Sequence, residues 1–236
     1  MPDQRTLHEL AHLHGRAPVF ADRAAAGAAL AKMVQGYHGS DALVLAIPAG
    51  GVPVAVEIAE RLALPLDLAP VSKVLLPWTT ESGYGAVAFD GSVWIDESAV
   101  ARFGLSQKPV ERAVSAARAR VERRMSELRG GRPLPGLSGR PVILVDDGIA
   151  AGSTMRAAIA AVRAEQPLTL VVAVPTGHAQ AVEKSRRSPT QSIARTFAAA
   201  RVTPSPRPMT NGTTSAKASW PASCTQALVS TRNAAE

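Results

Sequence analysis

The sequence predicts an α/β fold: a doubly wound, mainly parallel sheet with helices on both faces, followed by a disordered C-terminal tail. Three observations carry this expectation. Continuous apolar runs at residues 42–47, 142–145 and 168–174 read as strands buried on both faces, as a parallel sheet covered by helices requires. Segments of helical pattern alternate with them, as in successive βαβ units. After residue 184 the pattern stops: residues 185–236 hold 31 Ser, Thr, Pro or Ala and no sustained period of 2 or 3.6.

Each element has its own local reason. Asp22 is a suitable N-cap for a first helix running to about residue 35, with Ala25, Ala29, Leu30 and Met33 expected toward the core. The strand at 42–47 ends in Pro48-Ala49-Gly50-Gly51, and a helix is expected from about Val52 to Leu62. Residues 66–72 read as the next strand. Residues 85–89 and 93–95 flank Asp90-Gly91, a strong short-hairpin signal. A long helix should follow Ser106, with Pro109 in its first turn. Its apolar stripe, Val110, Val114, Ala117, Val121, Met125 and Leu128, suits a core or a dimer contact. Residues 130–139 are a Gly/Pro-rich connector. Strand 142–145, a helix from about Thr154 to Ala164, strand 168–174 and a helical segment at 178–184 complete the body.

Composition narrows the function classes. The 236 residues are 46% hydrophobic and 19% charged, an ordinary globular mixture. The longest apolar stretches fall well short of the roughly 18 residues of a membrane span, and the polar start MPDQRTLHEL has no signal-peptide core. One cysteine, Cys224, cannot form an internal disulfide, so a reducing cytoplasm is the expected location. The net charge of +7 is unevenly placed. Residues 1–184 carry 19 basic and 18 acidic side chains, whereas residues 185–236 carry 7 basic residues and a single acid, Glu236. A basic tail without interleaved aromatics argues against nucleic acid as a partner.

The informative segment is VILVDDGIAAGST, residues 142–154. A buried strand delivers Asp146 and Asp147 to the carboxyl edge of the sheet, where ligands of doubly wound folds bind. Ala150, Ala151, Gly152, Ser153 and Thr154 then form a small-residue loop opening a helix. Backbone N–H groups and the helix dipole at such a point favour a phosphate. Carboxylates beside a phosphate would repel it unless they hold something else, such as ribose hydroxyls or Mg²⁺. The segment therefore describes a ribose-5-phosphate site. Taken alone, a strand ending in a solvated Asp pair is common. The ATPase version of this strand needs a Gly-rich loop ending in Lys-Ser/Thr, which the chain lacks, and receiver domains carry their acidic pair near the N-terminus.

Residues 142–154 resemble the phosphoribosyl-pyrophosphate (PRPP) signature of type I phosphoribosyltransferases. Further landmarks follow in order: Phe20-Ala21-Asp22-Arg23 with Ala26-Gly27 and Leu30-Ala31, then residues 47–54 (IPAGGVPV), Ser72-Lys73, and residues 83–88 (GYGAVA). The resemblance covers about residues 17–184, read as a phosphoribosyltransferase-like domain at 1–184 with a basic tail at 185–236. It implies that Asp146 and Asp147 hold the ribose hydroxyls and a Mg²⁺ ion, and that residues 150–154 cradle the 5-phosphate. Ala49, Gly50 and Gly51 would form the pyrophosphate loop, with Lys73 as a nearby cation. It also implies an unidentified acceptor and, at family level, a homodimer. Three positions depart from the family pattern. Ala49 replaces a common Arg or Lys, Ala151 a common Thr, and Ala150 the Asp of purine-salvage members, which argues against hypoxanthine/guanine activity.

Two alternatives stand beside this reading. One is a non-catalytic PRPP- or nucleotide-sensing module on the same fold. The other is a zinc hydrolase, because His8-Glu9-Leu10-Ala11-His12 matches HExxH, two histidines one helical turn apart with a general base between them. A third ligand at suitable spacing is lacking, which favours a polar N-terminal helix with incidental histidines. The basic, acid-poor composition after residue 184 suggests a reading-frame shift near residue 185, which translation of the other two frames of the gene tests.

Overall fold

The computed structural model describes residues 5–10, 19–80, 82–130, 132–186, 195–199 and 202–203. Six parallel strands form the central sheet: β1 (Arg5–Glu9), β2 (Leu43–Ala46), β3 (Leu66–Leu68), β7 (Pro141–Val145), β8 (Thr169–Val174) and β10 (Arg195–Ala199), in the order β1-β10-β8-β7-β2-β3. A second, antiparallel sheet holds β4 (Ser72–Leu75), β5 (Gly83–Val87) and β6 (Val93–Ile95). Two short strands, β9 (Gly177–His178) and β11 (Val202–Thr203), pair in parallel. The helices are α1 (Arg23–Met33), α2 (Gly51–Leu62), α3 (Glu97–Arg102), α4 (Gln107–Arg129), α5 (Ser153–Ala164) and α6 (Ala179–Arg186).

The buried runs work as the sequence suggests, one alternate set of side chains to each face. Leu43, Leu45, Val142, Leu144, Leu170 and Val172 pack with Met155, Ile159 and Val162 of α5. Val44, Ala46, Ile143, Val145, Val171 and Ala173 pack on the other face with Leu30 of α1 and Val54, Ile58 and Leu62 of α2. Both faces are covered, so the strands carry no polar alternation. Asp22 caps α1 through a 2.7 Å bond from the Ala25 amide, as its residue type suggests.

Two sequence expectations are corrected, one open alternative is decided, and strands appear beyond residue 184. The buried side of α1 is Ala26, Gly27, Leu30 and Ala31, one step round from the expected stripe, and Ala25 is exposed. An alanine-rich helix has almost no amphipathic phase of its own, so its close packing on α2 decides the rotation. The expected strand 66–72 is two strands in different sheets, broken at Ala69-Pro70-Val71, where the chain leaves the edge of the central sheet after the Ala69 amide bonds to the Ala46 carbonyl at 2.8 Å. The stripe of α4 is core: Ala117 and Val121 are buried against Val74, Tyr84 and Val87, with Val110, Val114 and Met125 beside them. Finally, the region from 185 contributes β10 to the central sheet, between β8 and β1, and β11 beside β9. Its Arg-Thr-Phe-Ala-Ala sequence is too small and polar to advertise a strand. Residues 204–236, read from sequence as tail, lie outside the described residues, as does Cys224. Among the described residues no helix is long and apolar enough to cross a membrane.

Candidate active site

The strand order creates one topological switch point. From β2 the chain winds through α2 outward to β3, and from β7 it winds through α5 the other way to β8. The carboxyl ends of β2 and β7 therefore open a crevice between diverging connections, the usual ligand position in such sheets. Parallel pairing aligns the two ends, with Ala46 opposite Val145 and the Ile47 amide bonded to the Val145 carbonyl at 2.8 Å.

On the β2 side the loop Pro48-Ala49-Gly50 leads into α2, and the Pro48–Ala49 peptide is cis. Gly51 is the first residue of α2 and is buried. A Cβ there would stand 2.7 Å from the Val145 carbonyl oxygen and 2.8 Å from Asp146 Cα, so glycine is what lets the start of α2 rest on the end of β7.

On the β7 side Asp146 and Asp147 follow the last strand residue. The Asp147 amide donates to Asp146 Oδ1 at 2.8 Å. Surrounding protein, and then the neighbouring charge of Asp147, push the Asp146 pKa well above the ordinary carboxylate range, although the residue keeps some exposure at the crevice. The Lys73 charge acts on Asp146 in the opposite direction, which places that cation within electrostatic reach of the pair. Lys73 lies on β4, its side chain exposed and its carbonyl held by Arg120 Nη2 at 2.9 Å. Arg23, the first residue of α1, donates to Asp147 Oδ2 from Nη2 at 2.8 Å and from Nε at 3.3 Å.

The raised Asp146 pKa has a signed consequence for stability. Above the unfolded carboxylate pKa of about 4 the folded chain holds a proton that the unfolded chain has released, so stability falls as pH rises through the interval up to the folded pKa. Beyond it the full cost of the buried charge remains. Asp146→Asn should therefore melt at the same temperature as wild type near pH 3 and higher at neutral pH, in buffer without ligand or divalent ion. Melting curves across pH 3–8 check this, and a variant less stable than wild type at neutral pH refutes it.

Beyond the pair, the loop 148–152 is braced by the segment after β8. The Ile149 amide donates to the Thr176 carbonyl at 3.0 Å, and the His178 amide to the Ile149 carbonyl at 2.7 Å. Gly152 adopts φ +86°, and α5 starts at the buried Ser153, with Thr154 next and Ala150 and Ala151 exposed before it. The first amides of α5 have no partners within the helix and face the loop. Gly50 and Gly51 thus lie directly against Asp147 and Asp146, residues 150–154 follow the pair into α5, and Lys73 stands on the second sheet within electrostatic reach.

Arg23 is the residue that the reading of candidate sites missed. It was visible only as a landmark beside Asp22, and no local rule aims it at Asp147, 124 positions away. The Thr176 and Gly177 backbone likewise supports the loop without any signal in residues 142–154.

A sequence model of the phosphoribosyl transferase domain matches residues 21–204. The chain belongs to this family. Two Mycobacterium tuberculosis proteins whose names place them among the phosphoribosyl transferases, MT0597 of strain CDC 1551 / Oshkosh and Rv0571c of strain H37Rv, are each 36% identical over 159 residues. Those matches cover 67% of this chain and 36% of each relative, so the chain matches little more than a third of the length of these curated relatives. The crystal structure of TT1426 from Thermus thermophilus is similar at 35% identity, with a TM-score of 0.62 and coverage of 81% of this chain and 87% of that one. The matched residues include β10 and β11.

The HExxH segment has a different fate. His8 and Glu9 lie on β1, an extended strand, where successive side chains point to opposite faces and the one-turn helical spacing of the motif does not apply. His12 lies outside the described residues. Among the described residues no three His, Cys, Asp or Glu group together to hold a metal.

Proposed function

We propose that this family member is a phosphoribosyltransferase that takes PRPP with Mg²⁺, transfers the 5-phosphoribosyl group to an acceptor and releases pyrophosphate. One observation carries the reading: at the switch point the acidic pair stands between two helix N-termini, that of α2 at Gly51 and that of α5 at Ser153. A ligand with an anion at each end and hydroxyls between them fits that order. The amides of 150–154 and the Ser153 and Thr154 hydroxyls would take the 5-phosphate, Asp146 and Asp147 the ribose hydroxyls, and the Ala49-Gly50-Gly51 loop with Lys73 the pyrophosphate.

Two adjacent carboxylates, with no third His, Cys, Asp or Glu grouped with them among the described residues, fit Mg²⁺, which prefers one or two carboxylates completed by substrate oxygens and water. Asp146 and Asp147 would hold the ion, which when bound helps neutralise charge on the leaving pyrophosphate. The chain's own part is positioning. Gripping the ribose by its hydroxyls and both anions by backbone amides fixes the anomeric carbon, so that pyrophosphate departs on one face and the acceptor approaches from the other. With Ala150 and Ala151 in the loop, no side chain there can accept a proton from the acceptor. The reading includes a cytoplasmic location, in line with the lone cysteine.

Calorimetric titration of PRPP with Mg²⁺ into wild type and into the Asp146→Ala/Asp147→Ala variant tests the proposal. Saturable binding should weaken at least about 100-fold in the variant, as expected when two charge-assisted contacts are lost together. A folded wild type that does not bind PRPP overturns it. Binding without pyrophosphate release in the presence of candidate acceptors would instead support a sensing module.

A further inference from the structure

Arg23 breaks a local rule. It is the first residue of α1, at the positive end of the helix dipole, where acidic side chains are favoured and cations are not. The first turn of α1 holds no acid, and the neighbouring carboxylate, the N-cap Asp22, is engaged with the Ala25 amide. Such violations tend to mark functional positions, because fold stability alone would select against them.

The destination of the side chain gives the reason. Its Nε and Nη2 both donate to Asp147 Oδ2, so it approaches one carboxylate oxygen from the side, without the paired fork over both oxygens that maximises a structural Arg–carboxylate bond. The two side chains keep 30% and 34% of their surface exposed, so a ligand in the crevice can reach both. The Asp147 carboxylate in turn lies directly against Gly50: a Cβ built on that glycine would overlap it. Arg23, Asp147 and the start of α2 therefore meet at one point, with the guanidinium beside the loop that would receive a pyrophosphate.

Charge completes the argument. Ala49, Gly50 and Gly51 bring no charged side chain to that loop, and α2 has no basic residue before Arg61 in its last turn. A pyrophosphate group would enter beside two carboxylates, and Lys73 from the second sheet is the one side-chain cation assigned to it so far. A guanidinium, planar and always charged, matches phosphate oxygens in pairs. We infer that Arg23 is a pyrophosphate-binding residue of this chain: it is held ready on Asp147 and turns guanidinium N–H groups to the pyrophosphate of bound PRPP, supplying the cation that Ala49 does not. The inference rests on the PRPP reading above.

The test titrates ribose 5-phosphate, magnesium pyrophosphate and PRPP with Mg²⁺ into wild type, Arg23→Gln, Arg23→Lys and the double variant Arg23→Gln/Ala49→Lys, each confirmed folded by its melting transition. Arg23→Gln should lose about 10- to 100-fold in affinity for pyrophosphate and PRPP, the range of a charge-assisted contact, while ribose 5-phosphate binding stays within about threefold. Arg23→Lys, which keeps the charge but loses the paired contact, should fall between wild type and Arg23→Gln in pyrophosphate affinity, and Ala49→Lys should restore part of it to the Gln variant. Equal losses for ribose 5-phosphate and PRPP would make Arg23 a positioning residue for Asp147 and overturn the inference, as would unchanged pyrophosphate binding. A wild type that binds none of the three ligands removes the PRPP reading itself, and this inference with it.

Discussion

Replacing Arg129 with methionine is expected to cost about 3–5 kcal/mol of folding stability, the usual penalty for stripping one partner from a buried ion pair. Arg129 ends α4 and is 2% exposed, and its ion-pair partner Asp67 on β3 is 15% exposed. Besides that pair, Nε donates to the Arg132 carbonyl at 3.1 Å and Nη2 to the Pro133 carbonyl at 2.5 Å. One guanidinium thus ties the long helix of the second sheet to the edge of the central sheet and to the Gly/Pro-rich connector. Methionine fills much of the volume but leaves the Asp67 carboxylate without its counter-charge, with only the Leu68 amide donating to it, and takes the guanidinium donors from the Leu68, Arg132 and Pro133 carbonyls. Urea denaturation of Arg129→Met and of Arg129→Met/Asp67→Asn reads the effect. The double variant should recover part of the loss, because it no longer buries an unpaired charge. A single-variant cost below about 1 kcal/mol would contradict the role assigned to this residue.

The second large effect is expected at Gly51. Its missing Cβ would meet the Val145 carbonyl oxygen and Asp146 Cα, both backbone of the central strand, so neither neighbour can rotate away. Gly51→Ala must move the N-terminus of α2 off β7. Overpacking of this kind costs about 1–3 kcal/mol. The functional effect should exceed the structural one, since α2 carries the loop that faces the acidic pair and a misplacement on the order of 1 Å in a positioning site can cost about 100-fold. A folded Gly51→Ala protein should therefore bind magnesium pyrophosphate at least about 100-fold more weakly than wild type. Equal binding by the two proteins would show that close seating of α2 on β7 is not what builds the loop.

These predictions draw on different levels of legibility. The central strands were readable because burial on both faces demands uninterrupted apolar residues, and 42–47, 142–145 and 168–174 leave little else to be. The acidic pair and the loop to Thr154 were readable because the chemistry lies within 13 consecutive residues. The Asp90-Gly91 turn was readable too: the Asp90 carboxylate accepts from the Ser92 amide at 2.9 Å, and Gly91 takes φ +82°, as hairpin-turn residues do. Less legible were the phase of α1, whose alanines fit either rotation, and β10, whose small side chains look like linker. Residues 66–72 misled because their apolar content suited one strand, while the chain passes from one sheet to another at Ala69-Pro70-Val71.

What the sequence determined by itself was local. Periodicity, turn chemistry and one compact motif specified an α/β sheet with carboxylates and a helix start at a strand's carboxyl end, and the ordered landmarks pointed to the family. Tertiary structure alone decided which distant pieces share the crevice. Pairing of β2 with β7 set the Gly51 loop against Asp146, and packing of α1 on α2 carried Arg23 to Asp147. The stripe of α4 reads the same for a core or for a partner, and only the presence of the second sheet settled which. The physical reason is common to all three. Side-chain periodicity records how much of an element is buried, whereas its neighbours are chosen by strand register and helix contact between residues far apart in the chain, where no local pattern reaches.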